Sequence, residues 1–234
     1  MKKPLIGIVG KHVDMEFFGW TAISISDNMR LAVINAGGMP IGILPTTRST
    51  EINETDAGDS RKLTFEEKSE LIELVDKCDG IILQGGKYSE HYEEFIASYV
   101  NEKNIPVLGV CAGYNNLIRG VGGVIHRAGN DDVHYRPEMK YAHSITIDPS
   151  SKLFDIFGVT ELQVNSIHNY SPKNVVKLKI TAMSEDNIIE AVEDPEKDFY
   201  IGLKFHPEIL PDDKNMIKVF DYFINACKKN KKEA

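Results

Sequence analysis

The chain has little cysteine, no long apolar run and no excess of positive charge. Its 234 residues include three cysteines, Cys78, Cys111 and Cys227. That number is odd, no Cys-x-x-Cys pair occurs and no secretory signal opens the sequence, so a disulfide framework is not expected. The thiols are expected to stay reduced, as in a cytoplasmic protein. No apolar run approaches the roughly 20 residues of a membrane-spanning helix, which argues against a membrane partner. Acidic residues outnumber basic ones 35 to 27, for a net charge of −8, and this argues against a nucleic-acid partner. Lys228, Lys229, Lys231 and Lys232 form a basic cluster that reads as part of a frayed, solvated end over 229–234. Neither an internal repeat nor a low-complexity tract is present. The composition, 42% hydrophobic and 26% charged, suits one globular domain over 1–234 with a full core.

Strands and helices alternate in the first half. Leu5–Val9 reads as a buried strand, 27–36 as a helix stopped by Gly37-Gly38, and Met39–Leu44 as a second strand. Thr64-Phe65-Glu66-Glu67 is a capping box opening a helix over 65–78. A strand over 79–83, a helix around 90–101 and a strand over 104–110 follow, then a helix from 112. This order predicts an α/β fold: a doubly wound, mostly parallel sheet with helices on both faces. Beyond Arg127, strands are expected at 144–147, 178–183, 188–192 and 199–205. They suggest an antiparallel extension, closed by a helix over 211–228. In the last strand, Phe199, Ile201, Leu203 and Phe205 alternate with Tyr200, Gly202 and Lys204, a half-buried pattern. Thr46 to Leu63 is polar and aperiodic, either a lid or, as preferred here, a mobile loop. His126 to His143 carries three histidines among acidic and basic residues, but at no recognisable ligand spacing. No metal and no cofactor are therefore expected.

Chemistry concentrates in two places. His206-Pro207-Glu208 puts an imidazole and a carboxylate at i and i+2, on the same side of an extended segment. The carboxylate can fix the tautomer of the imidazole and leave its other nitrogen to take a proton. Ninety-five residues upstream, Cys111 falls between an apolar strand and a helix and is flanked by Gly109 and Gly113, as in a nucleophile elbow. A thiol there lies at a helix N-terminus, which favours thiolate. A lone cysteine is more simply a core residue; the elbow and the distant His-x-Glu reverse that reading for Cys111. Cys78 and Cys227 look like packing or partly exposed thiols. Gly85-Gly86, ending the 79–83 strand, reads either as an ordinary turn or as a donor of backbone N–H groups to an oxyanion, with Ala112 N–H as the second donor.

Together these segments resemble the class I glutamine amidotransferase superfamily, and within it the gamma-glutamyl-gamma-aminobutyrate hydrolase-like branch of stand-alone enzymes. The likeness rests on Pro4 to Ile8, Ala36 to Pro40, Asp79 to Gly86, Pro106 to Gly113, Val164-Asn165-Ser166-Ile167-His168 and Phe205 to Glu208. The resemblance implies the flavodoxin-like fold of those enzymes, with Cys111 as nucleophile, His206 as base and Glu208 as its orienter. It also implies oxyanion donors at Gly86 and Ala112, and a substrate-facing shell that includes Gly85, Asn115 and His168. Read without the resemblance, His168 is equally well a loop histidine bonded to backbone.

Three departures touch that shell. Asn115 stands where relatives usually carry Gln, Lys87-Tyr88-Ser89-Glu90-His91 replaces an acidic, proline-containing loop, and Lys204-Phe205 replaces Gln-Trp. The implied activity is hydrolysis of a γ-glutamyl amide through a thioester on Cys111, with a small-molecule γ-glutamyl substrate. Two alternatives stand beside it. One is a glutaminase subunit passing ammonia to a separate synthetase partner; the other is a non-catalytic binding relative. A homodimer stays open, with no apolar helix face identified to carry it.

Overall fold

The computed structural model describes residues 2–15, 19–46, 62–128 and 131–230. The chain opens with β1 (Leu5–Val9), a hairpin of β2 (Lys11–Met15) and β3 (Trp20–Ser24), then α1 (Asp27–Asn35) and β4 (Met39–Ile43). It continues through α2 (Phe65–Val75), β5 (Gly80–Leu83), α3 (His91–Lys103), β6 (Val107–Val110) and α4 (Ala112–Gly120). Then come β7 (Val124–Arg127), a short α5 (Asp131–His134), β8 (His143–Ile147), α6 (Lys152–Phe157) and β9 (Glu161–Val164). The chain closes with β10 (Tyr170–Asn174), β11 (Lys179–Ser184), β12 (Ile189–Glu193), β13 (Tyr200–Leu203) and α7 (Lys218–Lys229). Among the described residues no helix is long and apolar enough to cross a membrane. All but the edges of the 46–63 stretch lies outside the described residues, as does the end of the basic tail.

Nine strands form one sheet in the order β4-β1-β5-β6-β13-β12-β11-β8-β9. From β4 to β13 the strands run parallel; from β13 to β9 they alternate in direction. This is the parallel sheet with an antiparallel extension that the element order predicts. Successive strand residues point to opposite faces, and the core divides accordingly. Ile82, Leu108 and Val110 pack with Met29 and Val33 of α1 and Phe220, Phe223 and Ile224 of α7. Ile81, Leu83 and Val107 pack with Leu71 and Val75 of α2, Ile96 and Val100 of α3 and Leu117 of α4. Helices therefore cover both faces. All three cysteines are buried, Cys227 in the first cluster and Cys78 in the second.

Local chemistry accounts for several boundaries. Glu67 N–H donates to Thr64 Oγ1 at 3.2 Å and Thr64 N–H to Glu67 Oε2 at 2.8 Å, the capping box read from the sequence; α2 then ends at Val75, three residues sooner than expected. The final helix begins at Lys218, not at 211. Asp213 Oδ1 accepts from Asn215 N–H at 2.8 Å, a side-chain turn that competes with helical pairing. The last strand is not half-buried. β13 sits between β6 and β12, and all four of its residues are buried. Tyr200, on the face expected to be exposed, donates its hydroxyl to Leu117 O at 2.9 Å beneath α4.

Candidate active site

Parallel strands leave their C-terminal ends on one edge, where the following loops build sites. Three adjacent strands do so here. β5 runs into Gly85-Gly86, β6 into Cys111, and β13 into Lys204-Phe205-His206. The crossovers thus bring together segments that are 95 residues apart in sequence.

The turn at Cys111 is held by backbone strain and close packing. Cys111 itself adopts φ 52° and ψ −102°, a region an L residue enters only when its surroundings compel it. The flanking glycines of the elbow serve close packing. A Cβ on Gly113 would lie 1.9 Å from the backbone oxygen of Leu83, and one on Gly109 would lie 2.8 Å from the backbone oxygen of Gly113. The glycines let α4 press onto β5 and β6, while the cysteine carries the positive φ. Its amide is tied to β13 by a bond to Leu203 O at 2.9 Å.

His206 is clamped from two sides. Its backbone N–H donates to Asn165 Oδ1 and its carbonyl accepts from Asn165 Nδ2, both at 2.7 Å. Its Nδ1 lies 2.7 Å from Glu208 Oε1. Pro207 opens a single 3-10 turn over Pro207–Ile209, which keeps Glu208 buried beside the ring. Burial opposes charge on the imidazole, but Glu208 and Cys111 hold its pKa well above the ordinary value. Burial likewise opposes ionisation of the Cys111 thiol, yet the charge of His206, a hydrogen bond to it and Lys204 bring its pKa below the ordinary 9.0. The arrangement favours a thiolate facing an imidazolium, the reactive form of a cysteine nucleophile.

The thiol opens on a cavity of about 660 Å³ lined by Gly86, Ala112, Asn115, His168, Lys204 and His206 among others. That volume suits a small molecule. Gly86 borders the cavity, whereas Gly85 backs onto the catalytic candidates. A Cβ there would stand 2.7 Å from His206 Cε1 and 3.5 Å from Cys111 Cβ. Asn115 accepts from Lys204 Nζ at 2.8 Å, and that ammonium also lies over the Tyr114 ring. The backbone N–H of His168 donates to His134 O at 2.8 Å. The residue is 4% exposed, and its Nε2 points to Glu190 Oε1 at 3.4 Å.

Asn165 and Lys204 carry no functional mark in the sequence. Asn165 sits inside the Val164–His168 segment already singled out, so a polar residue at a strand end was the available signal. Lys204 registered only as a departure, because a lysine in a strand pattern ordinarily signals exposure.

Comparison with known proteins follows the same lines. Residues 62–208 match the model of the Peptidase C26 family. The gamma-glutamyl-gamma-aminobutyrate hydrolase PuuD of Escherichia coli is 26% identical over 260 residues, spanning 97% of this chain and 94% of its own. CTP synthase of Staphylococcus aureus is 26% identical over 261 residues, but the match covers 45% of that protein. The glutaminase domain of Trypanosoma brucei CTP synthase superposes with a TM-score of 0.64 at 17% identity, covering 97% of this chain and 94% of that domain.

Proposed function

The chain belongs to the Peptidase C26 family and is similar to a gamma-glutamyl-gamma-aminobutyrate hydrolase and to CTP synthase, and from that premise we propose that it cleaves γ-glutamyl amides through a thioester on Cys111. The observation that carries the reading is the meeting of Cys111, His206 and Glu208 beside Gly86, at the ends of β5, β6 and β13.

In the proposed reaction the Cys111 thiolate attacks the side-chain amide carbon of the γ-glutamyl group. The tetrahedral oxyanion takes hydrogen bonds from the backbone N–H groups of Gly86 and Ala112. His206, held by Glu208, protonates the departing amine and the C–N bond breaks, leaving the acyl group on sulfur. His206 then takes a proton from water, which attacks the thioester and releases glutamate. Asn115 and His168 line the same cavity as Cys111, and Gly85 leaves room for the His206 ring, since a Cβ there would stand 2.7 Å from its Cε1. Lys204 and Lys87 in the cavity wall suit a substrate bearing a carboxylate.

Acid-quenched mixtures of protein and γ-glutamyl substrate test the scheme by mass spectrometry. A γ-glutamyl adduct on the Cys111 peptide, absent from Cys111→Ala, is the expected result. Turnover without any adduct on Cys111 contradicts it. The CTP synthase similarity favours a second reading, a glutaminase that feeds ammonia to a separate synthetase. Glutamine hydrolysis that rises when a synthetase is added would select it.

A further inference from the structure

A second group of chemically capable side chains lies apart from Cys111, His206 and Glu208. It draws on four segments: His134 at the end of α5, His143 at the start of β8, His168 between β9 and β10, and Glu190 in β12. One candidate donor atom from each lies within 4.8 Å of all the others. Glu190 Oε1 is the hub, 3.3 Å from His134 Nδ1, 3.6 Å from His143 Nε2 and 3.4 Å from His168 Nε2. A tetrahedral zinc ion with bonds of about 2.0–2.1 Å sets its ligand atoms about 3.3 Å apart. The three hub distances lie close to that edge, and the wider separations, within 4.8 Å, would shorten as the rings turn onto the ion.

The polar accounting points to a missing cation. The side chains of His134, His168 and Glu190 are 1%, 2% and 0% exposed. Both oxygens of Glu190, Nε2 of His143 and both ring nitrogens of His168 are buried without a hydrogen bond. The imidazoles stand 3.3–3.6 Å from the carboxylate, as ion-pair partners set wider than close hydrogen bonds, and Ser166 Oγ also lies 3.4 Å from His134 Nδ1; a buried carboxylate so loosely held is costly. The outer contacts of His134 and His143 also point the right lone pairs inward. His134 Nε2 lies 3.1 and 3.2 Å from the two oxygens of Asp186, which accepts from Ser184 Oγ at 2.6 Å. His143 Nδ1 lies 3.1 Å from Ser144 O. A ring nitrogen that donates outward to a carboxylate or carbonyl leaves its other nitrogen as a metal donor.

We propose that His134, His143, His168 and Glu190 bind one divalent transition-metal ion, with zinc the best match to three imidazoles and one carboxylate in a four-coordinate site. The protein fills all four positions, so the ion is structural. It pins α5 and the β9–β10 segment to the antiparallel half of the sheet and fixes the cavity wall that carries His168. The site shares His168 with the cavity beside Cys111, but it does not rest on the γ-glutamyl reading. Local spacing could not reveal it, because only His134 and His143 fall in the histidine-rich 126–143 stretch.

The test uses cobalt(II) as a visible stand-in for zinc, in full-length Cys111→Ser protein so that the thiol of the other site cannot bind metal. The protein is stripped with a chelator, dialysed and titrated. The expected result is one equivalent bound, with the intense visible bands of a four-coordinate ion that added zinc displaces. Glu190→Gln and His143→Ala should both lose those bands while circular dichroism shows an intact fold. His143 is the least buried ligand at 10%, so His143→Ala decides the matter should Glu190→Gln fail to fold. Absence of the bands from folded Cys111→Ser, or their persistence in folded His143→Ala, overturns the site.

Discussion

Replacing Gly113 by alanine tests how tightly the candidate site depends on the packing beneath it. The new Cβ would lie 1.9 Å from Leu83 O, 2.5 Å from Leu83 C and 2.8 Å from Leu83 Cβ. Two of these are backbone atoms of β5, a strand held on both sides by β1 and β6, so no side-chain rotation relieves the clash. Real Cβ atoms essentially never approach closer than 3.0 Å, and reaching that limit from 1.9 Å asks α4 and β5 to part by about 1.1 Å. Overpacking of this kind costs about 1–3 kcal/mol, and each kcal/mol lowers Tm by about 2–4 °C in a chain of this size. The displacement also reaches the site, because Cys111 is the residue that caps α4. A shift near 1 Å at a reacting group lowers turnover by about 10²-fold. Thermal denaturation, γ-glutamyl turnover and the alkylation rate of Cys111 measure the two effects separately. Wild-type Tm in Gly113→Ala refutes the packing argument. A lowered Tm with unchanged turnover and alkylation refutes the link from α4 to the thiol.

Further outcomes follow from the electrostatics. Iodoacetamide at pH 7 should label Cys111 and spare Cys227, whose thiol burial and Asp79 push upward. His206→Ala should abolish that selectivity, because His206 is the largest influence lowering the Cys111 pKa; selective labelling that survives it would rule out the ion pair. Glu208→Gln should slow turnover less than Cys111→Ala, since an orienter acts through the base; equal losses in folded proteins would mean that Glu208 does more than orient. Lys11 donates to Glu93 Oε2 at 2.6 Å in a buried pair, and burial raises the Glu93 pKa from 4.5 to about 7 despite Lys11. A raised carboxyl pKa favours folding below 4.5, and that contribution is lost as pH rises through 7. Lys11→Met should therefore cost about 3–5 kcal/mol at pH 8, where a buried carboxylate loses its charged partner and keeps only the Asn116 Nδ2 bond at 3.0 Å, and less at pH 5, where Glu93 keeps its proton. Denaturant unfolding at the two pH values measures this, and equal losses would contradict it.

Much of this architecture is legible in the sequence because strand and helix periods differ and the motifs sit at element ends. β1, β5 and β6 are short apolar runs bounded by Gly or Pro, and α2 announces itself through Thr64 and Glu67. Cys111 and His206-Pro207-Glu208 stand out because their residue types at those places have few structural uses. What escaped depends on contacts between distant segments. Lys11-His12-Val13-Asp14-Met15 has no core-facing stripe, and the strand forms by pairing with β3. Lys204 looks like a solvent-facing lysine until the crossovers bury it against Asn115 and Tyr114. Glu190 and His134 are 56 residues apart, and only the pairing of β12 and β8 with β11 brings their neighbourhood together. Gly109 and Gly113 look in sequence like elbow residues, but their close approach to backbone oxygens exists only in three dimensions.

Glutamate release tests the central claim most directly, measured across glutamine, γ-glutamyl-γ-aminobutyrate and other γ-glutamyl amides and peptides, with Cys111→Ala alongside. The account predicts release from at least one γ-glutamyl compound other than glutamine, and none from Cys111→Ala. Silence across the panel from folded protein, or release that persists in Cys111→Ala, would contradict it.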